Sequence, residues 1–256
     1  MTILITNDDG YQAAGIQALA SAVAPLGKVF IVAPDGPRSG SACAITPTEP
    51  VSFHHISTQG NIATYACTGT PVDCVKLSVE RILPCNPDLV LSGINHGDNA
   101  SISCLYSGTM GGVLEGCLKE IPSIGFSLWL RCGETYDSHP VPKSTLDAIR
   151  ELCAAVVKSG LPLGVCLNVN LPPTEDFGGW SVCRQTRGRW SSEWQPAADG
   201  ANKFQLTGTF TDLEPEATDT DFAALRAGRC SIVPVSIDLT AYNAINHINE
   251  ILSDCR

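Results

Sequence analysis

The chain has 256 residues, 44% hydrophobic and 16% charged, which suits one large, well-buried α/β domain with little disorder. A net charge of −10 excludes a general basic surface for a nucleic-acid duplex or an anionic membrane, although a bound metal and a helix N-terminus can still receive a phosphorylated substrate. The 12 cysteines contain no Cys-x-x-Cys pair and no neighbouring histidines, so zinc and a redox pair are not expected; Cys117, Cys153 and Cys166 lie in apolar runs, where a thiol acts as a small buried hydrophobe.

The chain opens on MTILITNDDG, in which a short apolar strand (Ile3 to Thr6) breaks into Asp8, Asp9 and Gly10. A strand end that meets a glycine turn and then a helix forms the crevice where open α/β sheets bind ligands. Two adjacent carboxylates repel each other there unless a cation sits between them, and hard divalent cations prefer such oxygens. The alternative, an Asx-type turn with Asp8 as a helix cap, accounts for one aspartate and not for two. No basic segment followed by an apolar one precedes the strand, and no run is long enough for a bilayer, so a reducing cytoplasm is expected.

The next elements predicted are a helix over Gln12–Val23 and a strand over Lys28–Ala33. That strand runs into Asp35-Gly36-Pro37-Arg38-Ser39-Gly40, which brings a hydroxyl and a guanidinium to its carboxyl end. His54 and His55 sit on opposite sides of a β-type run and do not share a metal. Thr70-Pro71-Val72-Asp73 reads as a capped start to a helix over Pro71–Leu83, with Gly69 and Thr70 at the edge of the crevice. The strand Asp88–Gly93 then delivers Ile94-Asn95-His96-Gly97, where His96 reads as a pocket wall rather than a catalytic group. Asp8 and Asp9, Ser39 and Asn95 thus close three strand ends with oxygen donors, a set suited to magnesium, manganese or calcium and not to zinc.

Tyr106-Ser107-Gly108-Thr109-Met110-Gly111-Gly112 leads into a helix over Thr109–Lys119. Small residues at a helix start leave backbone N–H groups open to an anion, and Ser107 and Thr109 add hydroxyls, so beside a metal the turn reads as a phosphate cradle. Strands over Pro122–Leu128 and Val165–Asn170 flank a helix over Ser144–Lys158, for which Ser144 and Asp147 read as a cap. The alternation of apolar strands with helices predicts a mostly parallel sheet covered on both faces. After Pro173 the chain turns polar and glycine-punctuated. Trp180–Arg184 and Gln205–Phe210 read as strands of an arm within residues 178–210, where Trp180, Trp190 and Trp194 either meet another subunit or pack back onto the domain. A strand over Ser231–Val235 and a helix from Ala241, with Tyr242, Ile245, Ile248 and Leu252 on one face, close the chain.

These motifs resemble the SurE family of metal-dependent phosphatases, the stationary-phase survival nucleotidases. The resemblance runs nearly end to end, through ILITNDDG (3–10), VAPDGPRSGSA (32–42), CTGTPVDCV (67–75), LVLSGINHGDN (89–99), YSGTMGGVLEG (106–116), LNVNLP (167–172) and TDTDFAALRAGRCSIVPV (218–235). It implies a single domain over residues 1–256 with a Rossmann-like fold, and hydrolysis of nucleoside monophosphates at the 5′ or 3′ position. It implies one metal ion (Mg or Mn, with Ca able to occupy the site) on Asp8, Asp9, Ser39 and Asn95, and a phosphate turn at Ser107, Gly108 and Thr109. It also implies a homodimer or homotetramer built through the arm and the tail at 236–256. The chain departs from the family at Ile102-Ser103, where many members carry acidic residues, and this bears on the edge of the substrate pocket.

The expected mechanism places a metal-bound water beside phosphorus, with Asp8 or Asp9 as base or, by direct attack, as nucleophile. Ser107, Gly108, Thr109 and Arg38 would hold the phosphoryl oxygens. Asn99 and Asp35 either support the metal ligands from behind or satisfy loop backbone. A receiver-like module would need an aspartate where Asn95 stands, and a haloacid-dehalogenase-type phosphatase would need its two aspartates separated by one residue. A metal- and nucleotide-binding regulatory module without turnover shares most of these residues and is separated only by a turnover assay.

Overall fold

Ile3 and Ile5 face one side of the first strand, β1 (Thr2–Thr6), Leu4 faces the other, and all three are fully buried. A strand can be apolar on both sides only where both faces of its sheet are covered. The computed structural model describes residues 1–256 apart from 131–133, 135, 137, 138, 199, 201, 254 and 256, and it places β1 inside a nine-stranded sheet. The other members are β2 (Lys28–Pro34), β3 (Phe53–Gln59), β4 (Ile62–Cys67), β5 (Leu89–His96), β6 (Ser123–Leu128), β7 (Val165–Leu171), β8 (Trp180–Val182) and β13 (Cys230–Ser236). Their spatial order is β3-β4-β2-β1-β5-β6-β7-β13-β8. The run from β4 to β7 is parallel, whereas β3 on β4 and β13 on β7 are antiparallel. The chain moves outward from β1 to β2 on one side and returns to its other side as β5. The crevice between the ends of β1 and β5 is therefore the point where strand order reverses, the place where such sheets take ligands.

Helices α1 (Ala14–Val23) and α4 (Lys143–Ser159) pack together on one face. There they cover a core of Ile3, Ile5, Ile16, Leu19, Ile149 and Phe126. Helices α2 (Pro71–Leu77) and α3 (Gly108–Leu118) cover the other face, over Leu4, Val32, Cys74, Val75 and Val90. The expected α/β architecture is thus present. Among the described residues no helix is long and apolar enough to cross a membrane. The described cysteines are free thiols, and burial pushes those of Cys153 and Cys166 up to about 12.

Thr70 caps α2 as its sequence predicts, its hydroxyl accepting the Asp73 N–H while Asp73 accepts the Thr70 N–H. The cap expected from Ser144 and Asp147 does not form. Pro142, in extended conformation, starts α4 one residue early, and Ser144 Oγ accepts the Phe177 N–H at 3.1 Å instead. Asp147 pairs with Lys143 and Arg150. The helix expected over Pro71–Leu83 ends as α2 at Leu77 and continues as a π-type turn over Ser78–Ile82.

The C-terminal third differs most from expectation. Trp180–Val182 is not an arm strand: it pairs with Cys230–Ile232 as the edge of the main sheet, where Phe177 packs edge-to-face on Trp180. The arm consists of two short ribbons, β9 (Gly188–Ser191) with β12 (Thr209–Asp212) and β10 (Trp194–Pro196) with β11 (Phe204–Leu206). Gln205–Phe210 therefore divides between the two ribbons. A chain of rings, Trp190 to Phe210 to Phe222 to Trp129, fastens the root of the arm to the domain, whereas Trp194 remains 64% exposed. After α5 (Asp221–Arg226) and β13, the chain ends in α6 (Ile245–Ser253), with no buried residue among those described.

Asp221, fully buried, joins this region to the loop beyond β5. Its carboxylate accepts the N–H groups of Ser101 (2.8 Å), Thr186 (3.0 Å) and Phe222 (2.8 Å) and the Thr186 hydroxyl, while Ser101 Oγ donates to the Thr186 carbonyl. Asp221→Ala strands all of these donors inside the protein, each worth about 1–3 kcal/mol when left unpaired. The expected loss in a urea denaturation experiment is at least ~3 kcal/mol. A loss within the ordinary surface range of about 0.5 kcal/mol would mean that this network does not hold the region together.

Candidate active site

Beyond β1 the chain reverses around Asn7, which is fully buried. Its Nδ2 donates to the Gly10 carbonyl (3.0 Å) and its Oδ1 accepts the Gly10 N–H (3.1 Å), closing the turn as a ring. Gly10 adopts φ of 103°, and Tyr11 N–H reaches the Pro34 carbonyl of β2 at 3.0 Å. The Asx-type turn weighed for Asp8 is thus made by Asn7, which leaves both aspartates for other work.

Asp8 is 5% exposed. Its Oδ1 accepts the Thr109 hydroxyl at 2.6 Å, and the nearby backbone of Gly108 and Thr109 favours its charged form. Asp9 Oδ2 accepts the His96 N–H at 3.2 Å. Burial pushes the Asp8 carboxyl above its ordinary range, and the Thr109 hydroxyl and the α3 backbone hold it back only in part. Asp9 is raised by burial first and then by the neighbouring Asp8 charge. Among the described residues no lysine or arginine is a cause of either shift, and the His96 charge favours the ionised form of Asp9.

Two neighbouring strand ends meet this pair. The ladder of β5 on β6 is irregular between Ser92 and Asn95, the kind of break that re-aims side chains at strand ends. Asn95 Nδ2 is tied to the Gly97 carbonyl at 2.8 Å, which leaves its Oδ1 as an acceptor. Ser39 is exposed on the loop after β2, and Arg38 N–H holds that loop to the Asp8 carbonyl at 2.7 Å. The Arg38 side chain is engaged elsewhere, with Nη2 on Asp35 Oδ1 (3.2 Å) and on the Thr68 carbonyl (3.0 Å). Ser107 caps α3, accepting the Met110 N–H at 3.0 Å. Asn99 reaches away from the carboxylates: its N–H and Nδ2 bind Asn170 Oδ1 (2.8 Å) and Ser127 Oγ (2.7 Å), and its carbonyl accepts Asn168 Nδ2 (2.8 Å). It anchors the loop after β5 to β6 and β7.

The first turn of α3 is brought this close by glycine. A Cβ on Gly108 would stand 2.5 Å from Ser41 Oγ and 2.9 Å from Asp8 Oδ2, and one on Gly111 would stand 2.1 Å from the Ala42 carbonyl oxygen. Any side chain at either position would lift the helix off Asp8 and off the loop carrying Ser39. Asp73 also holds that loop, accepting Thr46 N–H (3.1 Å) and Thr46 Oγ1 (2.6 Å) besides its capping bond, while Thr70 Oγ1 donates to the Ala44 carbonyl. Beside Asp9 a cavity of about 350 Å³ opens between Ala13, Ala14, Gly15, Ile94, His96 and Tyr136.

Sequence reasoning missed Asn7, the loop-holding role of Asp73 and the His96 backbone donor. The first had a signal, since asparagine three residues before glycine is an Asx-turn pattern. The other two depend on contacts 27 and 87 residues apart in the chain, which no local pattern encodes.

Both aspartates carry a testable electrostatic signature. Because burial raises their folded values above the ordinary 3.8, the fold binds these protons more tightly than the unfolded chain does. That contribution to stability is complete in acid and is lost as pH rises through the raised values. In chelator, Asp9→Asn is expected to unfold at higher urea than the wild type at pH 7, with the difference closing near pH 3.5. Equal midpoints at pH 7 would show that the Asp9 carboxylate is not held against its own charge.

The family model described as "Survival protein SurE" matches residues 3–192. A protein named 5′-nucleotidase SurE from Bacteroides thetaiotaomicron is 47% identical over 249 residues, covering 96% of this chain and 94% of the relative. Its counterpart from Phocaeicola vulgatus is 46% identical over 248 residues, covering 96% and 95%. The crystal structure of the SurE protein from Aquifex aeolicus matches with a TM-score of 0.81 at 34% identity, over 98% of this chain and 99% of that one. From the acidic turn after β1 to the glycine-rich start of α3, the chain belongs to the SurE family.

Proposed function

We propose that the chain is a divalent-metal-dependent phosphomonoesterase that releases phosphate from nucleoside monophosphates, at the 5′ position first, in the cytoplasm. The observation that carries this reading is the pair of adjacent carboxylates at the reversal point of the sheet, Asp8 buried and Asp9 partly so, facing the N-terminus of a helix with no lysine or arginine among the described residues paired to them. The relatives named 5′-nucleotidase support the substrate class.

The donor chemistry fits a hard cation. Among the described residues no group of three or more His, Cys, Asp or Glu could hold a metal, so a cation here needs amide and hydroxyl oxygens besides the pair. Asp8, Asp9, Asn95 Oδ1 and Ser39 Oγ supply such a set for Mg or Mn. When bound, that ion would neutralise phosphoryl charge and acidify a water. Asp8, fixed by Thr109 and the α3 backbone, acts as a rigid anchor. Asp9 is held through Oδ2 by the His96 N–H, and among the described residues its Oδ1 has no hydrogen-bond donor and is placed to take the proton of the attacking water. The N-terminus of α3, with Ser107, Gly108 and Thr109, faces the phosphoryl oxygens, and the cavity between Asp9, His96 and Tyr136 gives the nucleoside a place. Arg38 would have to leave Asp35 and Thr68 to join them.

Metal-stripped protein should release phosphate from a panel of 5′- and 3′-monophosphates only after Mn or Mg is restored, and Asp9→Asn should lower kcat by on the order of 10²-fold or more. Metal binding without release from any nucleotide would leave a binding module in place of the enzyme.

A second copy of the chain is the proposed partner. On α6 and the turn before it, Tyr242, Ile245, Ile248 and Leu252 form one apolar face, 45–67% exposed, of a size that soluble surfaces seldom leave open. Light scattering at micromolar concentration should report a dimer or tetramer that Ile248→Glu converts to smaller species; a monomeric wild type would overturn this assignment.

A further inference from the structure

We infer that Ser41 is a phosphate-binding residue, whose hydroxyl donates to a phosphoryl oxygen at the N-terminus of α3. The inference deepens the phosphatase reading and rests on it for the identity of the anion.

Ser41 Oγ is buried and has no hydrogen-bond partner. Buried hydroxyls in folded proteins are nearly always satisfied, so an orphan one marks a missing partner. Its position says what that partner is. The space a Cβ on Gly108 would occupy is bounded by Ser41 Oγ at 2.5 Å and by Asp8 Cβ and Oδ2 at 2.8 and 2.9 Å, so the hydroxyl faces the first residue of α3 beside the carboxylate. The other orphan hydroxyls, Thr6, Ser92 and Ser231, belong to β1, β5 and β13 within the sheet and are fully buried. Ser41 alone of the four sits on a loop and is only partly buried as a whole residue.

The loop is held from both ends. Ser41 N–H donates to the Arg38 carbonyl (3.1 Å), its own carbonyl accepts the Ala44 N–H (2.9 Å), and the Ala42 carbonyl lies flush against Gly111. The hydroxyl is thus presented by a fixed backbone. Asp8 and the helix N-terminus bring opposite charges to the same space, and a neutral donor there adds a bond to phosphate without adding repulsion. Ser39, two residues earlier and exposed, is left to the cation.

The test compares wild type with Ser41→Ala. Binding of inorganic phosphate is measured by calorimetry with Mn present, together with KM and kcat for adenosine 5′-monophosphate and the melting temperature without ligand. Loss of one bond to a charged oxygen should weaken phosphate binding about tenfold and raise KM. The melting temperature should stay level or rise, because the variant deletes an unsatisfied buried group. Unchanged phosphate affinity in Ser41→Ala would overturn the proposal while the wild-type turnover left the phosphatase reading intact. A lowered melting temperature with unchanged affinity would assign Ser41 to the loop instead. If the wild type binds phosphate through Ser41 yet hydrolyses no nucleotide, the site stands and the phosphatase reading falls; a wild type that binds no phosphate overturns the Ser41 assignment itself.

Discussion

Two adjacent carboxylates, Asp8 buried and Asp9 partly so, with no lysine or arginine among the described residues paired to either, are the constraint around which this molecule is arranged. Burial alone would drive Asp8 and Asp9 toward their neutral forms. The protein answers with dipoles: the Thr109 hydroxyl and the nearby backbone of Gly108 and Thr109 on Asp8, and the His96 N–H on Asp9. Dipoles soften the repulsion without cancelling the charge, so the pair keeps its appetite for a positive ion. A lysine or arginine in the same place would have made a more stable fold and closed the site.

Everything near the pair serves that balance. The reversal of strand order puts the ends of β1 and β5 side by side, and α3 lies close because Gly108 and Gly111 present no side chain to the loop after β2. That loop is fastened to α2 by Asp73, to the Asp8 carbonyl by Arg38, and to α3 by the flush contact at Ala42. Asn99 and Asp221 hold the opposite wall through bonds to β6, β7 and the segment around Thr186. The site is thus braced by the carboxylates of Asp73 and Asp221 on backbone N–H groups, by the backbone and side chain of Asn99, and by the backbone bond from Arg38 to Asp8.

How much of this the sequence disclosed follows from the range of the interactions. The β1 turn, the Thr70–Asp73 cap and the glycine-rich start of α3 are local patterns, and each lies within a residue or so of where it was read. The β-type run at His54 and His55 is β3, largely exposed at the sheet's edge, whereas β4 has no counterpart among the strands read from the sequence. Trp180–Val182 looked like part of the polar arm, and only its pairing with Cys230–Ile232, about fifty residues on, makes it an edge strand. Ser144 illustrates the opposite failure: a well-formed local signal lost to Pro142, whose rigid backbone began the helix first. For the candidate ligands, Asp8, Asp9 and Asn95 lie at adjoining strand ends, whereas Arg38 and Asn99 have partners that only the fold supplies.

Helix α3 carries Gly108, Gly111, Gly112 and Gly116, each of which costs about 1 kcal/mol of intrinsic helix propensity relative to alanine. As a free peptide such a segment would be a coil. It is helical because Gly112 and Gly116 rest directly on the side chains of Thr6 and of Val90 and Ser123, so the helix depends on the sheet behind it. The dipole that faces the carboxylates is therefore held in place by tertiary packing, and any ligand gripping its first turn stabilises that packing. In this chain, grip on a ligand at the pocket and the packing of α3 on the sheet reinforce each other.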